Sequence, residues 1–356
     1  SPTSASGSGE WLIWIEDSGQ EISITATNVI SKTNRTLGGM TWESQPQVVS
    51  SGNSFVVYDE FRVDYFRHDS EAGILKPIFS EYSAESLIDI SISSSSINTG
   101  YIAMLSNESL RIVDTSDQST RILESVPNSS VVASSGPLVA FSANTPSGPT
   151  VNITSADSDL TLTILLDPRS SEGIEESIRN SGTLLDFGNS TIVELVMDSN
   201  WLVATVDVGP FNRTIMVDTS SINQTLISNP RWDSSSPSIG EGKVAFLQVT
   251  RDSIISTSQD SLRNNDVYVY YIESAETRQH TFDDDVDQFQ PQILLDRLAW
   301  IEVNDQGEKQ LLVYSFIDTI EPRNSLLLQA SILAMIPLIF LWTLQSYGAK
   351  IVTQRV

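Results

Sequence analysis

The residues of this chain whose types and spacing could do chemistry are acids that precede prolines. Glu43 in "WESQP", Asp233 in "WDSSSP", and Asp285 and Asp287 in "FDDDVDQFQP" all stand three to six residues ahead of a proline. Clustered carboxylates are the ligands hard cations prefer, so these four could hold calcium or a cationic partner if folding brings their turns to one rim. The run "DDDVD" lacks the glycine and distal glutamate of a calcium-binding loop. A metal would therefore need acids from several turns, and a solvated acidic rim is the plainer reading.

Other chemistry is largely closed off. The chain has no cysteine and two histidines, His68 in "YFRHDS" and His280 in "RQHTF", which excludes thiolate chemistry and histidine metal clusters. Both histidines read as turn or strand-edge residues. No nucleophile elbow, zinc-protease helix, phosphate loop or dinucleotide fingerprint occurs. Glycoside hydrolysis needs only two acids about 5 to 9.5 Å apart, but nothing in the spacing singles out such a pair. The expectation is a chain without catalytic residues and without a cofactor beyond that calcium. A carboxylate-dependent enzyme acting on glycans is the catalytic alternative.

Charge narrows the partners. Lys and Arg total 20 against 45 Asp and Glu, a formal −25 with five lysines among 356 residues. Such a surface repels phosphate backbones, so nucleic acid is excluded as a partner.

The elements that must position these acids are visible as a repeat. A short apolar stretch recurs as "WLIWIED" at 11, "FVVYDE" at 55, "YIAML" at 101, "LVAFS" at 138, "WLVATV" at 201, "VAFLQV" at 244 and "LAWIEV" at 298, at spacings of 44, 46, 37, 63, 43 and 54. Pro2, Pro46, Pro237 and Pro291 precede four of them and read as the openings of an inner strand, where a missing N–H is tolerated. Downstream, "IVDTSDQSTRI" at Ile112 and "MVDTSSINQTLI" at Met216 each read as strand, polar turn, strand. The unit is a meander of four short strands at a period near 45, which predicts an all-β, seven-bladed propeller. Trp14, Tyr58, Phe141, Phe246 and Trp300 are then expected to fill the space between blades. The two long intervals predict insertions: "DPRSSEGIEESIRNSG", read as a short surface helix after Ser170 or Ser171, and "RDSIISTSQDSLRNND" ahead of the third strand of blade six.

Residues 264 to 303, "NNDVYVYYIESAETRQHTFDDDVDQFQPQILLDRLAWIEV", resemble the TolB-type, WD40-like (PD40) repeat. The resemblance rests on the Asn-x-Asp-Val-Tyr-Val-Tyr strand, the turn ending in Thr-Arg and the Gln-x-x-Pro opening of the next blade. It is good over about forty residues, moderate near Gln45, and carried by period alone in blades three to five. It implies a propeller of the kind found on archaeal and bacterial surfaces, recognising proteins by its rims. Blade seven departs from the pattern: after "KQLLVYSF" the chain runs through "IDTIEPRN" with little room for a fourth strand. Three strands there, or completion by residues near the N-terminus, are both open.

From Leu326 to Leu344 no residue is charged, and only Gln329, Ser331 and Thr343 are polar, a length that suits one transmembrane helix. Trp342 and Tyr347 suit an interface, and Lys350 and Arg355 a cytoplasmic tail. A buried core helix would show a polar stripe, which this segment lacks. The expected plan is a propeller over residues 1–317, a linker over 318–325, a single-pass helix over 326–345 and a tail over 346–356, with a secretory leader removed before Ser1. Sequons at Asn34, Asn107, Asn128, Asn152, Asn189, Asn212 and Asn223 agree with an extracellular, glycosylated domain and should mark surface turns. Ala330 and Ala334 form a small-x-x-x-small pair beside Gln329, which predicts packing of that helix against helices of other subunits. The function expected is a scaffolding or protein-binding subunit of a membrane complex, with a surface-layer component as the alternative.

Overall fold

The computed structural model describes residues 2–316 except 18–21, 41, 43, 70–73, 84, 95–99, 108, 125, 127–128, 146, 168–189, 210, 231, 250–264, 283–285 and 305. Its compact units are Ser1–Tyr314 and Ser315–Val356; of the second, only Ser315 and Phe316 are among the described residues. The candidate membrane segment and its residues Gln329, Ala330 and Ala334 lie outside them, as does the helix expected after Ser170. Among the described residues no helix is long and apolar enough to cross a membrane.

Seven antiparallel sheets follow one another along the chain, each a meander in sequence order. Blade 1 is β1 (Pro2–Ser8), β2 (Trp11–Asp17), β3 (Ile22–Asn28) and β4 (Thr33–Met40). Blade 2 is β5 (Gln47–Ser51), β6 (Ser54–Tyr58), β7 (Arg62–Asp69) and β8 (Ile74–Tyr82). Blade 3 is β9 (Leu87–Ser94), β10 (Gly100–Ser106), β11 (Ser109–Asp114) and β12 (Thr120–Glu124). Blade 4 is β13 (Val132–Ser135), β14 (Leu138–Thr145), β15 (Gly148–Ser155) and β16 (Ser158–Leu165). Blade 5 is β17 (Thr191–Asp198), β18 (Trp201–Asp207), β19 (Asn212–Asp218) and β20 (Asn223–Leu226). Blade 6 is β21 (Ser234–Gly240), β22 (Lys243–Val249), β23 (Asn265–Tyr271) and β24 (Glu276–Gln279). Blade 7 has three described strands, β25 (Val286–Leu294), β26 (Arg297–Asn304) and β27 (Lys309–Ser315). No strand from the N-terminus joins it, since blade 1 uses all four of its own.

The seven apolar stretches are the seven second strands, and their side chains make the core. Second strands are covered on both faces by neighbouring blades, so they read as continuous apolar runs rather than alternating ones. Tyr58 packs with Ile90 and Ile92 of blade 3, Phe141 with Ala103 and Leu105 of blade 3, and Phe246 with Val203 and Met216 of blade 5. Trp14 sits against Leu294 and Ala299 of blade 7, and Trp300 is buried. Trp14, Tyr58, Phe141 and Phe246 therefore fill space between blades, as their positions predicted.

Two prolines do not open strands. Pro237 and Pro291 sit inside β21 and β25, where the pairing slips between Ser235 and Ser238 and between Phe289 and Gln292. Ser236 and Gln290, each just ahead of its proline, have positive φ of 54° and 48°. A bulge explains both features: it removes the need for the proline N–H and turns the preceding residue out of register. Pro2 begins β1 and Pro46 directly precedes β5, as expected.

Candidate functional site: the central channel and its entry rim

Neighbouring inner strands run side by side in the same direction, because Ser4, Ser6 and Ser8 of β1 meet Val48, Ser50 and Gly52 in order. All connections from a fourth strand to the next blade, and all from second to third strands, therefore lie at one end of the ring, here the entry end. Turns from first to second and third to fourth strands lie at the other, the exit end.

A channel of about 560 Å³ runs between the seven inner strands. An inner strand is a sheet edge, and its outward amides would be orphaned against the next blade without partners. Side-chain oxygens supply them at every junction, always from one blade to the amide of the next. Ser4, Ser6 and Ser8 accept from Val48, Ser50 and Gly52 at 3.3, 2.9 and 2.8 Å. Ser51 accepts from Ser94 at 3.0 Å, Asp89 from Val132 at 2.8 Å and Ser135 from Ser199 at 2.7 Å. Glu194 accepts from Ser236 at 2.7 Å and Ser238 from Ile293 at 3.1 Å. The ring closes where Gln290 and Gln292 accept from Ala5 and Gly7 at 2.9 and 3.0 Å.

Two of these acceptors are carboxyls with shifted titration. Asp89 lines the channel, and burial pushes its pKa up to about 7, although the Val132 and Ile90 amides and the Tyr58 hydroxyl pull the other way. Burial is also the main cause that raises Tyr58, helped by the Asp89 charge beside it. Glu194 is raised by burial, against the Ser236 amide and the Thr205 hydroxyl. Neither Asp89 nor Glu194 was singled out in the sequence. The spacing Ser-x-Ser-x-Ser in β1, repeated as Asp-x-Ser-x-Ser in β9, was the available signal.

The acids that were singled out have other work. Asp233 accepts the Asn212 amide at 2.7 Å, and Asp287 accepts the Asn265 amide at 3.3 Å. Asp233, just ahead of β21, and Asp287, near the start of β25, thus each tie the entry of one blade to the start of the third strand of the blade before. Glu43 and Asp285 lie outside the described residues. Among the described residues no three acids or histidines stand together as metal ligands. His68 of β7 lies with its ring centre 4.1 Å from that of Trp11 of β2, the planes tilted by 39°, and His280 shares a hydrogen bond of 3.2 Å with Tyr271. Burial, then the Arg278 charge, lowers the pKa of His280.

Asn34, Asn107 and Asn223 are exposed and Asn152 and Asn212 half-buried, while Asn128 and Asn189 lie outside the described residues. Asn34 and Asn152 stand within strands rather than in the turns expected of sequons.

The two ends differ in their exposed aromatic residues, although exposed aliphatic residues occur at both, Ile88 at the entry end and Ile30 and Ile222 in exit turns. The four exposed aromatic residues among the described ones are Phe61 at 37%, Tyr82 at 69%, Phe282 at 73% and Phe289 at 39%, and all lie in the entry half of the ring. The two long insertions, between β16 and β17 and between β22 and β23, leave and return at this end as well.

No protein-family model matches the chain, and no curated protein matches it. Solved structures do. The β-propeller domain of the Trilobed protease from Pyrococcus furiosus, described as having an open velcro topology, is 11% identical with a TM-score of 0.56 over 88% of this chain and 92% of that one. The Swd1 β-propeller domain from Myceliophteria thermophila is 12% identical with a TM-score of 0.57 over 88% and 96%. A puromycin-hydrolyzing peptidase from Mycobacterium tuberculosis is 10% identical with a TM-score of 0.58 over 89% of this chain, which spans 51% of that peptidase. These likenesses establish the propeller fold.

Proposed function

We propose that this chain is a non-catalytic extracellular propeller, tethered by residues 326–345, that binds a partner protein of a membrane complex with its entry end. The supporting observation is that the exposed aromatic residues lie in the entry half of the ring, with Phe61, Tyr82 and Phe282 in turns, strand ends or connections at that end. Aromatic side chains left in water on one side of a domain are frequent anchors of protein interfaces. The channel hydroxyls and carboxyls fit this reading, because their hydrogen bonds are spent on joining blades. Calcium at Glu43, Asp233, Asp285 and Asp287 would be a secondary feature of the same rim.

The test uses the full chain in native membranes. Replacing residues 250–264 by a short turn should abolish recovery of a companion subunit after detergent extraction, with the melting temperature of the ring unchanged. Removing 326–345 should release the chain into alkaline carbonate. If the intact chain recovers no companion, the proposal fails.

A further inference from the structure

Within that entry face one patch is built in more detail than the rest, and its role rests on the reading of the face as a partner-binding surface. The turn between β6 and β7 is fixed by Asp59, whose carboxylate accepts the Phe61 and Arg62 amides at 3.0 and 2.8 Å. That turn is hydrogen-bonded to the connection into blade 3: the Ser83 amide donates to Phe61 O at 2.7 Å and the Leu87 amide to Glu60 O at 2.8 Å. Phe61 and Tyr82 are thereby held on one continuous surface. Arg62 lies beneath it, 4.6 Å from the Trp42 ring centre and 5.7 Å from that of Tyr82, with its charge met by Asp64 at 2.7 Å.

Two exposed carboxylates belong to the same surface, and neither is left to swing freely. Glu60 accepts from the Ser86 hydroxyl at 2.8 Å, and Glu85 accepts from the buried Ser106 hydroxyl at 2.6 Å. One oxygen of each is thus anchored, which aims the carboxyl group while leaving it at the surface. Apolar rings beside oriented carboxylates, with Arg62 already met by Asp64 and Arg111 by Glu81, suit a particular ligand. A lysine or arginine side chain would lay its methylenes on the rings and its charge on the acids. Pre-set acceptors also lower the ordering cost of binding.

We infer that Phe61, Tyr82, Glu60 and Glu85 form a docking point for a basic side chain of the partner protein. The occupant is assigned to a different protein because a second copy, also at −25, would bring net charge of the same sign to this acidic surface.

The test titrates the intact chain with acetyl-Gly-Lys-Gly-Lys-Gly-amide, using its lysine-acetylated form as the neutral control. The wild type should bind the charged peptide saturably and the acetylated one at least tenfold more weakly. Glu60→Gln with Glu85→Gln should raise Kd at least tenfold, and Phe61→Ala with Tyr82→Ala should do the same. Attraction by overall charge is separated by Glu241→Gln with Glu273→Gln at the exit end, which makes the same change from −25 to −23 and should leave Kd within twofold. Equal losses in the entry and exit pairs, or no loss in the entry pair, overturn the docking point. Companion recovery from membranes reports on the whole face, so a failed peptide titration with recovery intact removes this patch alone.

Discussion

Asp89 in blade 3 does what Ser4 does in blade 1: each accepts the amide that opens the inner edge of the next blade, Val132 for Asp89 at 2.8 Å and Val48 for Ser4 at 3.3 Å. A carboxyl in a place where a hydroxyl suffices makes that junction sensitive to pH.

The sign is set by the raised pKa of about 7. Between the unfolded value near 4 and about 7 the folded chain holds a proton that the unfolded chain has released, so stability falls as pH rises through this window. Glu194, also raised, acts in the same direction. Asp89→Ser, which copies the blade 1 solution, should remove part of the slope, about 1–3 kcal/mol between pH 4 and 8 after allowing for contact with channel water. Urea titrations across that range would show it, and an unchanged slope would rule out Asp89 as its source.

At the seam between the last and first blades, Gln292→Ala would orphan the Gly7 amide and should cost about 1–3 kcal/mol. Gly7→Ala should cost a similar amount for a different reason, because a Cβ there would stand 2.5 Å from Leu294 Cδ2 and 3.2 Å from Gln292 Cβ. Chemical denaturation of both variants checks whether this joint is as closely fitted as its geometry says.

Phe246→Ala should cost about 3–5 kcal/mol, since the ring is fully buried between blades 5 and 6 and stacks on Tyr268. Phe282→Ala should change stability by less than about 0.5 kcal/mol. If Phe282 proved as costly as Phe246, it would be a core residue and not a surface anchor.

Asp233→Ala should cost about 1 kcal/mol through loss of the Asn212 cap. Addition of calcium to the wild type tests the rim: an unchanged melting temperature would dispose of a calcium site there.

Expression in a glycosylating host should load Asn107 and Asn223, which are exposed at turns or strand ends, ahead of Asn212, which is half-buried with its backbone N–H held by Asp233. Mass spectrometry of glycopeptides reads the order directly.

Blade number and strand order were legible because second strands must be apolar on both faces, which makes "WLVATV" and "VAFLQV" stand out in any reading. The bulges at Pro237 and Pro291 were not, since a proline looks the same at the start of a strand and at a kink within one. The acids before those prolines drew notice by type, yet their role is set by an amide some twenty residues earlier in the chain, at Asn212 or Asn265. The hydroxyls that join blades are ordinary serines in a serine-rich chain, and only three-dimensional adjacency distinguishes them. Phe61 and Tyr82 were hidden for the opposite reason: an aromatic residue is expected inside, and sequence does not say which ones are left out.

Closure by Gln290 and Gln292 rather than by an exchanged strand also has a consequence in time. On a ribosome adding about 5–20 residues per second, blade 1 would emerge roughly 15–60 s before the strand that covers its inner edge. During that interval Ala5 and Gly7 present open amides to any passing chain. The edge they belong to is "PTSASGS", short and almost free of apolar side chains, a composition that offers a stray strand little to hold. The first blade is thus able to wait for the last without becoming a nucleus for aggregation.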